Sequence, residues 1–112
     1  MPSKKAKEYY LGKHGRRFNC AEALIKAFED KFKLDHRLFG TYGSGNAPGG
    51  VCGAYYAARH ILEKHQPDRV KEFDEFFLAQ AGALECDRIR HGRKLSCLGC
   101  LEKAADFVAK DS

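Results

Sequence analysis

The sequence predicts an all-α fold: a bundle of four main helices plus a short N-terminal helix, with a long glycine-rich loop. Three observations carry this. Apolar residues recur at helical spacing, as in Cys20, Leu24, Phe28 and Phe32, which places them on one face of a helix. Helix start and stop signals punctuate the chain, from Asn19 with Glu22 to Gln66-Pro67 and Gly92. No stretch gives a convincing strand pattern.

The elements follow in order. Residues 3–13 form a weakly amphipathic helix through Ala6, Tyr9 and Tyr10, ended by Gly12 and Gly15. Asn19 caps the next helix, and Glu22 three residues on completes a capping box. That helix runs from Cys20 to about Phe32. Leu34 to Phe39 is an irregular or short helical connection. The stretch from Gly40 to Gly50 holds five of the chain's eleven glycines. Such a density belongs in a loop, because each glycine loses more backbone entropy on ordering than any other residue.

Pro48 suits entry into a helix, which is expected over Val51 to His65. Cys52, Tyr56 and His60 form one stripe of it, and Val51, Tyr55, Ala58 and Leu62 the neighbouring one. Pro67 closes this helix. Asp68 is the expected cap of the longest one, Arg69 to about His91, whose buried face reads Phe73, Phe76, Phe77, Leu78, Ala81, Leu84 and Ile89. Gly92 ends it, and Arg93 to Leu95 form a short connection. Ser96 caps the last helix, Cys97 to about Lys110, with Cys97, Leu101, Ala104, Ala105 and Val108 on its apolar face.

At 112 residues the whole chain, 1–112, reads as a single cysteine-rich helical domain. Its hydrophobic content of 44% argues against disorder. The net charge of +5 is modest, and its clusters at Lys4 to Arg17 and Arg88 to Lys94 read as solvated faces or as weak attraction for an acidic partner. No motif accompanies them that would read or stack bases, so nucleic acid is not an expected partner. No stretch approaches the ~20 apolar residues of a membrane span, and no apolar run follows the N-terminal lysines. With an odd number of cysteines, complete internal disulfide pairing is impossible. A cytoplasmic location is expected, where thiols are reduced, catalytic or metal-bound.

The placement of the five cysteines is more informative than their number. Cys20, Cys52 and Cys97 each fall at an expected helix start, Cys86 near an expected helix end. Helix starts present unpaired N–H groups and the positive end of the dipole, which favour a thiolate at Cys52. Cys97 and Cys100 are three apart on one helix, with Cβ atoms about 5–6 Å from each other. A long connection returning along the bundle, followed by the short one after Gly92, would bring all five sulfurs to one end. Gly82, Ala83 and Ala79 leave room beside Cys86, and equally suit close helix packing.

These residues resemble the redox-active protein family named for its C-GCAxxG-C-C pattern. The resemblance rests on Cys20 in Asn-Cys-Ala-Glu-Ala, Gly50-Val-Cys-Gly-Ala54, Gly82-Ala-Leu-Glu-Cys86, and Cys97 ahead of Leu101 and Ala104-Ala105. It covers residue 19 to about 108 and carries the family's cysteines onto Cys20, Cys52, Cys86 and Cys97. Cys100 is additional, and a glycine of the pattern is replaced by Ala57. A similar cysteine-rich domain occurs in split-Soret cytochromes, which hold an iron–sulfur centre. Leu101 follows Cys100, so the Cys-x-x-Cys-His attachment of c-type haem is excluded.

The expected cofactor is an iron–sulfur cluster, most simply [2Fe–2S], on four of Cys20, Cys52, Cys86, Cys97 and Cys100. A structural zinc-binding interaction module using the same thiolates is the first alternative, with Cys97 and Cys100 as a half-site. Metal-free thiol–disulfide chemistry at that pair is the second. Buried cysteines packing as small hydrophobes explain single positions but not four at helix ends. Gly49, Gly50 and Gly53 are the candidate cofactor-binding glycines, and the loop with Gly43-Ser-Gly45 is a candidate anion cradle, although its spacing fits neither the dinucleotide nor the Walker pattern. His60 and Tyr56 share the Cys52 stripe and are candidates to enter the site. The reading points to electron transfer or redox sensing rather than to an enzyme transforming a substrate. Its expected partners are a redox partner protein and, as a candidate homo-oligomer, a second copy of the chain.

Overall fold

The computed structural model describes residues 2–13, 15–40, 47–92 and 94–110. Among these the regular structure is helical, with six α-helices: α1 (Pro2–Leu11), α2 (Cys20–Phe32), α3 (Gly53–His65), α4 (Val70–Ala81), α5 (Cys86–Gly92) and α6 (Cys97–Ala109). Short 3₁₀ turns at His36–Phe39, Pro48–Gly50 and Pro67–Arg69 connect them. The fold is all-α. The cradle expected at Gly43-Ser-Gly45 and the connecting Arg93 lie outside the described residues.

The capping box forms as the sequence demands. The Asn19 side chain accepts from the Glu22 N–H at 2.7 Å, and the Glu22 carboxylate accepts from the Asn19 N–H at 3.1 Å. Asn19 does more than cap, because its amide also donates to the carbonyls of Phe39 and Gly40 at 3.2 and 3.0 Å. The start of α2 is thereby tied to the entry of the glycine-rich loop.

α6 is packed against α1, α2, α3 and α4. Cys100, Leu101, Ala104, Ala105, Phe107 and Val108 of α6 are buried, and the alanines let neighbouring backbones approach closely. α2 contributes Leu24, Ile25 and Phe28 to the same core. Phe73 and Phe77 of α4 are fully buried, each contributing about 2–3 kcal/mol of transfer free energy. Phe73 stacks on Tyr55 with centroids 5.6 Å apart and meets Phe107 at 5.1 Å. Arg69 lies over the Phe107 ring and donates to its carbonyl at 2.6 Å, pinning the start of α4 to the end of α6.

The structure corrects four expectations. The long helix over Arg69–His91 is two helices: α4 stops at Gly82, whose φ of +84° is left-handed and terminates it, and α5 begins only at Cys86. Leu78, expected on the buried face, is 48% exposed. The next helix along from Pro48 starts at Gly53 rather than Val51, leaving Cys52 as its N-cap residue. Asp68 lies inside the 3₁₀ turn Pro67–Arg69, and no side chain caps α4.

α1 packs on both α2 and α6, with Ala6 fully buried. The lysine-rich N-terminal stretch therefore presents one apolar face inward and its charges outward; Lys7 pairs with Glu102 of α6. No helix among the described residues is long and apolar enough to cross a membrane.

Candidate functional site: a cavity at four helix starts

The break after α4 is what assembles the site. Val51 and Glu85 form an isolated antiparallel bridge, and the Cys52 N–H donates to the Leu84 carbonyl at 2.8 Å. The bridge lays the segments that carry Cys52 and Cys86 against each other, and both thiols line the same cavity. Each then opens a helix. Cys20 is the first residue of α2, Cys86 of α5 and Cys97 of α6, and Cys52 is the N-cap of α3. Four helix starts meet at one place, whereas the sequence alone put Cys86 near a helix end. The missed signal was Gly82 itself, a helix terminator within an apolar pattern that continues through Leu84 and Ile89.

A cavity of about 60 Å³ lies where they meet. Cys20, Cys52, Cys86 and Cys97 line it, together with Tyr10, Asn19, Gly53 and Arg90. Cys52 and Cys86 are buried, while Cys20 and Cys97 are partly exposed. Cys100 is deeper, 1% exposed, and acts directly on the Cys52 sulfur. No disulfide links the five. Of the candidate glycines, Gly53 lines the cavity, while Gly49 and Gly50 form the turn before it with φ of +79° and +73°.

The electrostatics of the thiols differ from the expected thiolate at Cys52. The neighbouring Cys100 thiol, with burial adding to it, pushes Cys52 up to about 12, against the opposing hydrogen bonds from Cys20 and the Tyr55 N–H. The helix-start N–H acts in the expected direction but is outweighed. Burial also raises Cys86, with Arg90 opposing. At Cys97 the surroundings are different in kind: Arg90 Nη2 donates to its Sγ at 3.7 Å.

Tyr10 and Arg90 are lining residues that sequence reasoning did not single out. The Tyr10 hydroxyl is raised by partial burial and by Cys97 and Cys20, while Arg17 and Arg90 oppose the rise. The signal for Tyr10 was its helical register with Ala6. His60 and Tyr56 are not brought to the cavity. Both face Phe39, with ring centroids at 5.2 and 6.2 Å, and line a separate small cavity with Arg59 and Glu63. Partial burial lowers His60.

A model of the family described as "Putative redox-active protein (C_GCAxxG_C_C)" matches residues 18–110. The chain belongs to this family. All five cysteines lie inside the matched stretch; α1, with Tyr10, precedes it. No curated protein and no solved structure gives a significant match to the chain.

In kind, the donor set of this family member fits a sulfur-ligated group: four thiols line one cavity, with a fifth against Cys52. It is not a ready cage for a single ion, because among the described residues no three His, Cys, Asp or Glu side chains are grouped to hold one.

Proposed function

We propose that this chain is a small redox protein whose cysteine cavity holds an iron–sulfur cluster, most simply [2Fe–2S], and that it passes electrons to a partner protein in the cytoplasm. The observation that carries the reading is the gathering of Cys20, Cys52, Cys86 and Cys97 around one cavity by four separate helix starts. Cysteines kept only as small hydrophobes have no reason to share a position in four helices. A two-iron cluster takes four thiolates and spreads them over two irons, which suits this set better than one tetrahedral ion does. The bound cluster would supply one-electron chemistry. The protein's own part is to supply thiolates, exclude water through buried Cys52 and Cys86, and direct helix-start N–H groups toward the sulfurs.

A second reading is metal-free thiol–disulfide chemistry, favoured by the contact of the Cys52 sulfur with both Cys20 and Cys100. It places the cycling pair at Cys52 rather than at Cys97 with Cys100. Zinc on the same thiolates is a third reading, although among the described residues no three candidate ligands are grouped for a single ion.

The test is metal, sulfide and visible absorbance on protein purified without oxygen. Iron and acid-labile sulfide in equal amounts, with colour bleached by dithionite, are expected. Zinc would replace the reading with a structural site. A reversible disulfide without metal would establish thiol chemistry, and inert thiols without metal would overturn both redox readings.

A further inference from the structure

We propose that the site meets its redox partner at the Cys97–Arg90 edge, and that the partner is a protein presenting an acidic surface there. The proposal rests on the cysteine cavity being the redox centre.

The cysteines are not equally approachable. Cys52 and Cys86 are 7% exposed and Cys100 1%, whereas Cys97 is partly exposed and opens α6. Electron transfer weakens steeply with distance, so a partner gains most by approaching over the exposed sulfur. Cys20 is also partly exposed, where it lines the small cavity together with Tyr10. Beside Cys97 the surface is instead open: a groove of about 290 Å³ lined by Arg90, Leu95, Ser96 and Cys97 adjoins the cavity, sharing Arg90 and Cys97 with it.

The charge at this edge is positive. Arg90 is exposed and donates to Cys97 Sγ. Arg17 acts on the Tyr10 hydroxyl in the same direction as Arg90. A carboxylate, Asp87, acts on Cys86 from the next position in the chain; it is followed by exposed Arg88, and exposed Lys94 stands on the other side of Arg90 in sequence. A cation touching the approachable sulfur selects anionic reactants and steers an acidic surface toward it. In the encounter one electron passes from the reduced centre to the partner's oxidised centre, with no bond made or broken.

The experiment reads charge selectivity on the full chain. Protein carrying a cluster is reduced with dithionite and oxidised by ferricyanide or by hexaamminecobalt(III), an anion and a cation. Protein without one is alkylated at Cys97 by iodoacetate or iodoacetamide, the Cys97 sulfur displacing iodide, and the product is located by peptide mass mapping. Arg90→Gln is expected to lower the ratio of anionic to comparison reagent about threefold at ~10 mM salt, the effect of one unit charge a few ångströms away in water. The difference should vanish near 1 M salt. Arg90→Lys should restore most of the ratio, and Lys71→Gln, an exposed α4 change, should leave it alone. Polyglutamate at low salt should slow the reaction of the native chain but not of Arg90→Gln, whereas succinate at equal carboxylate concentration should not. An unchanged ratio in Arg90→Gln overturns the proposal. Equal protection by succinate also overturns it, assigning the edge to a small anion. A shifted ratio in protein that holds no cluster would remove the cluster reading and leave the edge; a cluster with an unshifted ratio would do the reverse.

Discussion

The main-chain N–H of Cys52 donates to the carbonyl of Leu84 at 2.8 Å, and this bond decides where two thiols sit. It lies beside the Val51–Glu85 bridge, so the segment leading into α3 and the one leading into α5 run antiparallel for two residues. Cys52 stands opposite Leu84 in this pairing, and Cys86 lies one residue past the bridged Glu85. The arrangement needs the chain to leave α4 sharply, which Gly82 does in a left-handed conformation. A side chain at Gly82 meets only Lys94 Cδ at 3.5 Å, an ordinary contact, so the cost of substitution is backbone strain alone.

Gly82→Val should therefore destabilise the protein by about 1–2 kcal/mol. Gly82→Asn should cost less, because Asn tolerates the left-handed region. Denaturant unfolding of both variants checks the order. Equal losses would mean that space rather than conformation governs the position.

Asn19 joins two tasks, capping α2 and holding the carbonyls of Phe39 and Gly40. Ser96 caps α6 through one bond, from the Gly99 N–H at 2.9 Å. Ser96→Ala should cost about 1 kcal/mol, and Asn19→Ala more, up to about 2 kcal/mol. Asn19→Asp separates the tasks, since it keeps the capping acceptor and removes the donor to the loop. Its loss should fall between those of the native chain and Asn19→Ala in thermal unfolding.

Tyr55 gives the alkaline side of stability. Burial, then its hydrogen bond to Asp74 at 2.6 Å, raises the phenol above the ordinary tyrosine range. The folded state thus favours the protonated form. This contribution is complete below the unfolded pKa of about 10 and is lost as pH rises from there through the folded value. Tyr55→Phe should remove that part of the decline and cost about 1–2 kcal/mol at neutral pH, a bond to a charged acceptor. Phenolate absorbance should show the highest-titrating tyrosine of the native chain missing from the variant.

Local signals were legible and distant ones were not. The Asn19–Glu22 capping box and the Ser96 cap involve neighbours three residues apart, so the residue types alone dictate them. The helix over Arg69–His91 failed because apolar periodicity persists through Leu84 and Ile89, while the break at Gly82 is held by a bond to Cys52 from another part of the chain. The direction at Cys52 failed for a similar reason: the helix start was visible, but Cys100, which outweighs it, arrives on α6. Tyr10 reaches the cavity only because α1 lies across α2 and α6, a packing that its lysine-rich sequence does not announce.

Five cysteines exceed the four that a two-iron cluster takes, and the geometry separates them. Cys20, Cys52, Cys86 and Cys97 line the cavity, while Cys100 sits in the core at 1% exposure and touches the site through Cys52. Under the cluster reading, Cys100→Ala should keep iron and sulfide near native stoichiometry, at a folding cost of about 1 kcal/mol for one lost buried sulfur. Ala substitution at any of the other four should remove most of the iron. Under thiol–disulfide chemistry centred on Cys52 the order changes, because Cys100 and Cys20 are then its candidate partners and Cys86→Ala should be silent. Iron and thiol counts on the five single variants, purified without oxygen, distinguish these patterns. Iron lost in Cys100→Ala but retained in Cys86→Ala would assign the ligands to the α2–α3–α6 side of the cavity and exclude α5 from the centre.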